Sequence, residues 1–232
     1  MVVLQKGTGS EHPGPGDYVA VKYTGWNRAG EEFEGSGSSE PRYLDMAEIV
    51  PGLAEGLLRM VEGEKRHLWV PADQAYGPRL DFVNAPREEM TFDVELVRII
   101  RLPPVPADLT SPSNEAKKTK SGLAYIVLTK GTGKVHPSKT SRVEIRYAMW
   151  SADGKMAENS YRGPGTIPVQ LPRLIKGWAE GLMLMAPGDK MRLWIPGNLA
   201  NGEPKPNEDA PPFASPLGPL VIDVELFAIL SP

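Results

Sequence analysis

The sequence predicts an α+β protein of two tandem domains, each mostly antiparallel sheet with one short α-helix covering one face. Three observations carry this prediction. The first is an internal repeat. Lys6-Gly7-Thr8-Gly9 returns as Lys130-Gly131-Thr132-Gly133, and Tyr23 as Tyr147, at an offset of 124. Gly52-Leu53-Ala54-Glu55-Gly56 returns as Gly177-Trp178-Ala179-Glu180-Gly181 at 125, and Asp93-Val94-Glu95-Leu96 as Asp223-Val224-Glu225-Leu226 at 130. An offset that grows only in loops means two copies of one fold, the second with a longer insertion before its last strand. The second observation is apolar alternation over Tyr18 to Tyr23 and Met90 to Ile100, the mark of half-buried strands. The third is the stretch Glu48 to Gly77, repeated as Leu174 to Gly202, in which a short helix, a strand and a loop follow one another.

Within copy one, Tyr18 to Tyr23 gives a strand, Asn27-Arg28-Ala29-Gly30 a hairpin turn, and Glu31 to Glu34 the start of the return. Leu53, Leu57, Leu58 and Met60 form the apolar stripe of a helix of about two turns, with Pro51 at its start and Gly63 just past its end. Leu68-Trp69-Val70 reads as a strand stopped by Pro71, and Ala72 to Gly77 as a loop turning back over the helix. Trp69 and its repeat Trp194 are assigned to the face turned away from the helix, as core or outer-face packing. The domains are placed at 1–101 and 119–232, joined by a proline-rich, semi-extended linker over 102–118. Met1 stands opposite Tyr125, so the opening strand of copy one is expected to lack its start, pointing to a longer natural chain or precursor.

Composition excludes several functions. With 232 residues, 41% hydrophobic and 24% charged, the chain is of ordinary globular type. Zero cysteines remove disulfides, thiol catalysis and thiolate metal sites. That fits a reducing cytoplasm and equally an extracytoplasmic protein whose native signal is missing, so the compartment stays open. No apolar run reaches the ~18 residues of a membrane span. The net charge of −3 argues against nucleic acid as a partner. The first half is acidic and the second basic, which reads as solvated surface. His12 and His136 recur in His-Pro turns and read as polar loop; nothing supplies ligand spacing, so neither metal nor cofactor is expected. Asp45 and Glu48 read as a solvated turn rather than an acid–base pair, and Gly7-Thr8-Gly9 lacks the lysine and helix of a phosphate loop.

Val21-Lys22-Tyr23-Thr24-Gly25, Ala29-Gly30 followed by Phe33-Glu34, Ile49 to Gly56, Ala75-Tyr76-Gly77 and Phe92 to Leu96 resemble, in order and spacing, the motif series of FKBP-type peptidyl-prolyl cis–trans isomerases. The resemblance covers essentially residues 2–100; residues 119–230 resemble the same domain less faithfully. It implies a twisted antiparallel sheet wrapped on a short helix, with an apolar pocket between them that takes a proline ring and also binds macrolide inhibitors. Carried over by position, Tyr23, Phe33 and Phe92 match aromatic walls, and Ile49 and Val50 the segment before the helix, where the Val50 N–H would bond a substrate carbonyl. Leu53 replaces the tryptophan floor of many members. Tyr76 matches a rim hydroxyl that bonds the substrate, and Glu34 stands in for the usual aspartate near the reacting amide. Tyr43 matches an aromatic position of the neighbouring strand, and Phe82 one in the rim loop. The partners implied are proline-containing polypeptides, with the protein a monomer.

Elementary chemistry agrees with such a pocket. Rotation about an X–Pro bond faces a barrier of about 18–20 kcal/mol from amide resonance. A site lowers it, with no covalent step, by preferring the twisted and less dipolar amide in an apolar aromatic cavity. The second copy keeps Tyr147, Ile175 and Trp178 of the pocket, but Ala157, Asn201 and Ile222 replace Phe33, Tyr76 and Phe92. Its pocket is therefore expected to be wider and weak or inactive, with Phe213 of the proline-dense loop 203–219 offered as a plug. The competing readings are a proline-peptide-binding or chaperone module without turnover, and a structural pair docked through opposite domain charges.

Overall fold

The structure, a computed structural model, describes residues 1–37, 40–76, 88–163, 165–202 and 217–231. The chain divides into two units, Met1–Leu102 and Pro103–Pro232. In the first, the described elements are β1 (Val2–Gln5), β2 (Tyr18–Trp26), β3 (Glu32–Gly35), β4 (Arg42–Asp45), α1 (Pro51–Leu57), β5 (Lys65–Val70) and β6 (Met90–Ile100). The strands form one antiparallel sheet in the order β1-β5-β6-β2-β3, with β4 also paired to β2. The second unit contains β7 (Lys117–Lys118), β8 (Ala124–Thr129), β9 (Arg142–Ser151), β10 (Met156–Asn159), β11 (Ile167–Gln170), α2 (Lys176–Met183), β12 (Lys190–Ile195) and β13 (Leu220–Ser231). Its sheet order, β8-β12-β13-β9-β10 with β11 on β9, is that of the first unit, with β7 added at the β8 edge.

Registers repeat as closely as the order. Tyr23 stands opposite Val94 and Gly25 opposite Phe92; Tyr147 stands opposite Val224 and Met149 opposite Ile222. One face of each sheet closes on its helix around a separate core. Val21, Leu57, Leu68, Val94 and Leu96 are at its centre in the first unit, and Ile145, Leu182, Leu193, Val224 and Leu226 in the second. Burial of aliphatic side chains of this size contributes about 1.5–3 kcal/mol each before chain entropy is counted.

The repeated glycines explain how helix and sheet come so close. A Cβ on Gly52 would lie 2.5 Å from Val70 Cγ1, and one on Gly56 2.5 Å from Leu68 Cδ1. The same contacts recur at Gly177 with Ile195 (2.5 Å) and Gly181 with Leu193 (2.4 Å). Two glycines four apart thus leave a groove along each helix into which β5 or β12 presses its branched side chains. The Lys-Gly-Thr-Gly repeat has a related cause. Thr8 and Gly9 donate their N–H groups to the Glu62 carbonyl, each at 3.0 Å, and Cβ atoms on Gly7 or Gly9 would collide with the backbone there.

The structure departs from the sequence-based expectations in three places. Helix α1 stops at Leu57, and Gly63 (φ 80°) belongs to the tight turn before β5 rather than to the helix end. The chain tightens there through Met60 N–H to Leu57 O at 2.9 Å, which turns Met60 into the core. His12 and His136 do more than populate polar loops. Their Nδ1–H groups donate to the carbonyls of Met60 (3.0 Å) and Met185 (2.9 Å), tying the loop after the first strand to the end of each helix. Residues 102–118 are expected as a semi-extended, proline-rich linker, but from Pro103 on they belong to the second unit. Pro106 is buried, and Leu109 and Ala116 cover Trp194, Ala124 and Val221 on the outer face of the sheet. Trp194 is accordingly buried while its counterpart Trp69 is 57% exposed, outer-face but uncovered.

Gly56→Ala tests the helix groove. Alanine adds helix propensity of up to ~1 kcal/mol, but Leu68 is fully buried and cannot retreat. A net loss of about 1–3 kcal/mol is expected from chemical denaturation; an unchanged or raised midpoint would show that the groove tolerates a methyl group.

Candidate active site

In the first unit, three elements converge on one cavity of about 140 Å³. Strand β2 brings Tyr23 and β6 brings Phe92. The N-terminal end of α1 brings Ile49, Val50 and Leu53, and Leu44, Glu34, Glu48 and Tyr76 complete the lining. A void of this order, about 150 Å³ and apolar, accepts a single small ring. Tyr23 and Phe92 are tilted with ring centroids 6.4 Å apart, and Phe33 meets Phe92 edge-on at 6.0 Å. Phe33 therefore supports the wall from outside the lining. Gly25 is the reason the three rings fit: a Cβ there would lie 2.7 Å from Phe92 Cε1 and 3.2 Å from Phe33 Cε1.

Polar groups gather on Glu34. The Tyr23 hydroxyl donates to Glu34 Oε1 at 2.6 Å, the Tyr76 hydroxyl donates to Oε2 at 3.0 Å, and Arg42 Nη1 lies 3.5 Å from Oε1. Burial first, and then the hydrogen bond to Glu34 and its charge, push the Tyr23 phenol well above the usual tyrosine range, so it stays a donor at neutral pH. Tyr76 is placed at the rim as expected, but its proton is committed to Glu34. Glutamate is one methylene longer than aspartate and spans both hydroxyls. At the head of α1, Val50 is the N-cap with Pro51 behind it, and its N–H has no acceptor among the described residues.

Most of the sequence-predicted residues thus meet in one place, with two exceptions. Tyr43 does not line the cavity. Alternation along β4 puts Leu44 and Arg42 on the core side and Tyr43 on the other, and the choice of Tyr43 rested on its being aromatic. Phe82 lies outside the described residues, as does Phe213. Sequence reasoning missed Leu44, Arg42 and Ser36. Ser36 Oγ accepts the Tyr23 N–H at 3.0 Å, and its repeat Ser160 accepts the Tyr147 N–H at 2.9 Å, so the offset of 124 that relates the tyrosines could have found both serines. Asp45 is a turn residue as expected, accepting the Ala47 N–H at 2.9 Å, whereas Glu48, read with it as solvated turn, lines the cavity.

In the second unit, Tyr147, Ile175 and Trp178 share one core. Trp178 stands edge-on to Tyr147 at 4.7 Å, in the place of Leu53. Burial and then a hydrogen bond to Glu158, the repeat of Glu34, raise the Tyr147 phenol as they do Tyr23. The expected widening does not follow from the loss of Phe33 and Phe92. Met149 occupies the position of Gly25 and is buried beside Ile222, supplying volume where the first unit has aromatic rings.

Glu34→Gln is expected to lower the pH at which Tyr23 ionises, because it removes the negative charge and carboxylate acceptor that favour the neutral phenol. Burial remains, so Tyr23 should still titrate above an exposed tyrosine. Tyrosinate absorbance against pH, compared with Tyr23→Phe to assign the signal, checks this; an unchanged profile would mean that Glu34 does not set the phenol's acidity.

Comparison with known proteins identifies one family. The model of the family "FKBP-type peptidyl-prolyl cis-trans isomerase" matches twice, over residues 9–97 and 133–227. The FKBP-type 22 kDa peptidyl-prolyl cis-trans isomerase of Escherichia coli is 34% identical over 190 residues, covering 78% of this chain and 82% of that protein. The FKBP-type isomerase FkpA of Aeromonas hydrophila is 41% identical over 118 residues, 50% of this chain and 41% of its own length. The chain thus spans less than half of the latter. A solved peptidyl-prolyl cis-trans isomerase from Pseudomonas syringae is 33% identical, with a TM-score of 0.43, over 50% of this chain and 82% of its own. Matched by one family in both of its repeats, the chain belongs to the FKBP-type peptidyl-prolyl cis-trans isomerases.

Proposed function

We propose that the first unit, residues 1–101, catalyses cis–trans isomerisation of X–Pro bonds in unfolded or loop segments, and so assists folding. The observation that carries this reading is the small apolar cavity between Tyr23, Phe92, Leu53 and Val50, with the Val50 N–H, which has no acceptor among the described residues, at its edge. A prolyl ring enters the cavity, and the Val50 N–H holds a substrate carbonyl. The reacting amide loses water, and its twisted form, with less charge on oxygen, loses less solvation than the planar form. Each tenfold in rate requires about 1.4 kcal/mol of such discrimination. Tyr23 and Tyr76, held through Glu34, keep the polar edge fixed without introducing a reacting nucleophile. Macrolide inhibitors would compete for the same cavity.

The second unit, on this reading, is a scaffold or peptide-binding module of low activity, because Trp178 stands in the place of Leu53 and Met149 takes the volume of the lost aromatic wall. One observation favours a binding role without turnover for the first unit as well: the Tyr76 hydroxyl is engaged by Glu34 rather than presented to a substrate.

A protease-coupled assay of the full chain separates the readings. Phe92→Leu and Tyr76→Phe are each expected to lower kcat/KM by roughly tenfold or more, while Trp178→Leu leaves it unchanged. Loss of activity on Trp178→Leu but not on Phe92→Leu would move catalysis to the second unit. A native chain with no rate above background would leave the binding module.

A further inference from the structure

Two carboxylates border the cavity of the first unit, and they differ in what holds them. Glu34 accepts from the Tyr23 and Tyr76 hydroxyls and lies beside Arg42, so its charge is met within the site. Glu48 is exposed, and its carboxylate has no hydrogen bond or ion pair among the described residues. Its backbone is nevertheless fixed. The Glu48 and Ile49 N–H groups both donate to the Asp45 carbonyl, at 3.0 and 3.2 Å, and the Asp45 carboxylate accepts the Ala47 N–H. The turn closed in this way holds Glu48 at the mouth of the cavity, two residues ahead of Val50.

With Glu34 offset by Arg42, Glu48 leaves one uncompensated negative charge at this mouth among the described residues, beside an apolar wall. The acidic surplus of residues 1–101 adds a field of the same sign. The second unit carries the opposite charge in this place. The offset of 125 that relates Leu53 to Trp178 relates Glu48 to Arg173, which is exposed on the single turn Leu171–Arg173 ahead of α2. The two residues that follow keep their character, Ile49 and Val50 becoming Leu174 and Ile175. The two units thus set opposite charges in front of the same apolar pair.

We propose that Glu48 is a specificity-determining residue of the cavity, selecting X–Pro segments that carry a lysine or arginine next to the proline. This rests on the reading of the cavity as a prolyl site. Two residues of chain span at most about 7 Å, so a substrate held by the Val50 N–H brings its flanking side chains within reach of Glu48. A cationic flank meets a carboxylate already fixed in place; an acidic flank meets like charge. Both partners stay partly in water, so the preference is graded, about two- to fivefold for the cation.

The test measures cis–trans exchange by NMR in the blocked peptides Ala-X-Pro-Ala and Ala-Ala-Pro-X, with lysine, leucine or glutamate at X, catalysed by the full chain. The readout is the lysine-to-glutamate ratio of kcat/KM within each chain, which a change in overall activity does not move. For at least one of the two placements the native chain is expected to give a ratio of about three or more. That ratio falls when salt is raised to about 0.5 M. Glu48→Gln is expected to lower it by at least about half and Glu48→Lys to invert it, whereas Glu55→Gln, which removes the same charge from the exposed face of α1, leaves it in place. A ratio that Glu48→Gln does not change overturns the proposal. So does an equal fall with Glu55→Gln, which traces the preference to overall charge, and so does a native preference for glutamate abolished by Arg173→Gln, which moves selection to the second unit. In each of these results the leucine peptides are still turned over and the prolyl reading stands; a chain that turns over no peptide, leucine included, loses that reading and the proposal together.

Discussion

Everything in each unit depends on how closely a two-turn helix can lie on a β-strand. Gly52 and Gly56 remove the side chains that would hold α1 away from β5, and Gly177 and Gly181 do the same for α2 over β12. Pressed down in this way, the helix brings its first residues level with the sheet's aromatic side chains. Val50 and Leu53 then close the cavity that Tyr23 and Phe92 open. A helix of seven residues has little stability of its own. Its position is fixed by these contacts, by the glycine-rich loop docked on the Glu62 carbonyl, and by the imidazole of His12 on the Met60 carbonyl.

The electrostatics of the cavity follow from the same crowding. A carboxylate beside a half-buried phenol favours the neutral, donating form of Tyr23, and Glu34 accepts from both the Tyr23 and Tyr76 hydroxyls. Arg42 balances its charge from the rim. The second unit keeps the tyrosine–glutamate pair and the serine brace while losing the aromatic wall. The hydrogen bonds therefore belong to the architecture of the fold, and the rings to the particular pocket of the first unit.

Much of this could be read from residues alone, and the reason is periodic. The repeat announces two copies, alternation locates β2 and β6, and Pro51 marks the start of α1; the resemblance to a known motif series then puts Tyr23, Val50, Leu53 and Phe92 on these elements. What escaped reading depended on partners remote in sequence. Tyr43 matches an aromatic position of the resembled family, but alternation along β4 turns Leu44, not Tyr43, toward the cavity. Residues 103–118 lack apolar periodicity because they cover a sheet through turns and bends, where isolated prolines and leucines suffice. Met149 drew no notice because its meaning lies in Gly25, a residue whose value is the space it leaves.

That exchange of Gly25 for Met149 has a consequence for how the two halves drifted apart. With phenylalanines at the positions of Ala157 and Ile222, a methionine between them would have had no room; with both rings gone and a glycine retained, the core would have held a void. Neither order of single replacements is smooth, so the three changes form a locked set. Restoring one ring to the second unit would crowd Met149 rather than rebuild the wall, and the divergence of the copies behaves as a ratchet that single steps do not reverse.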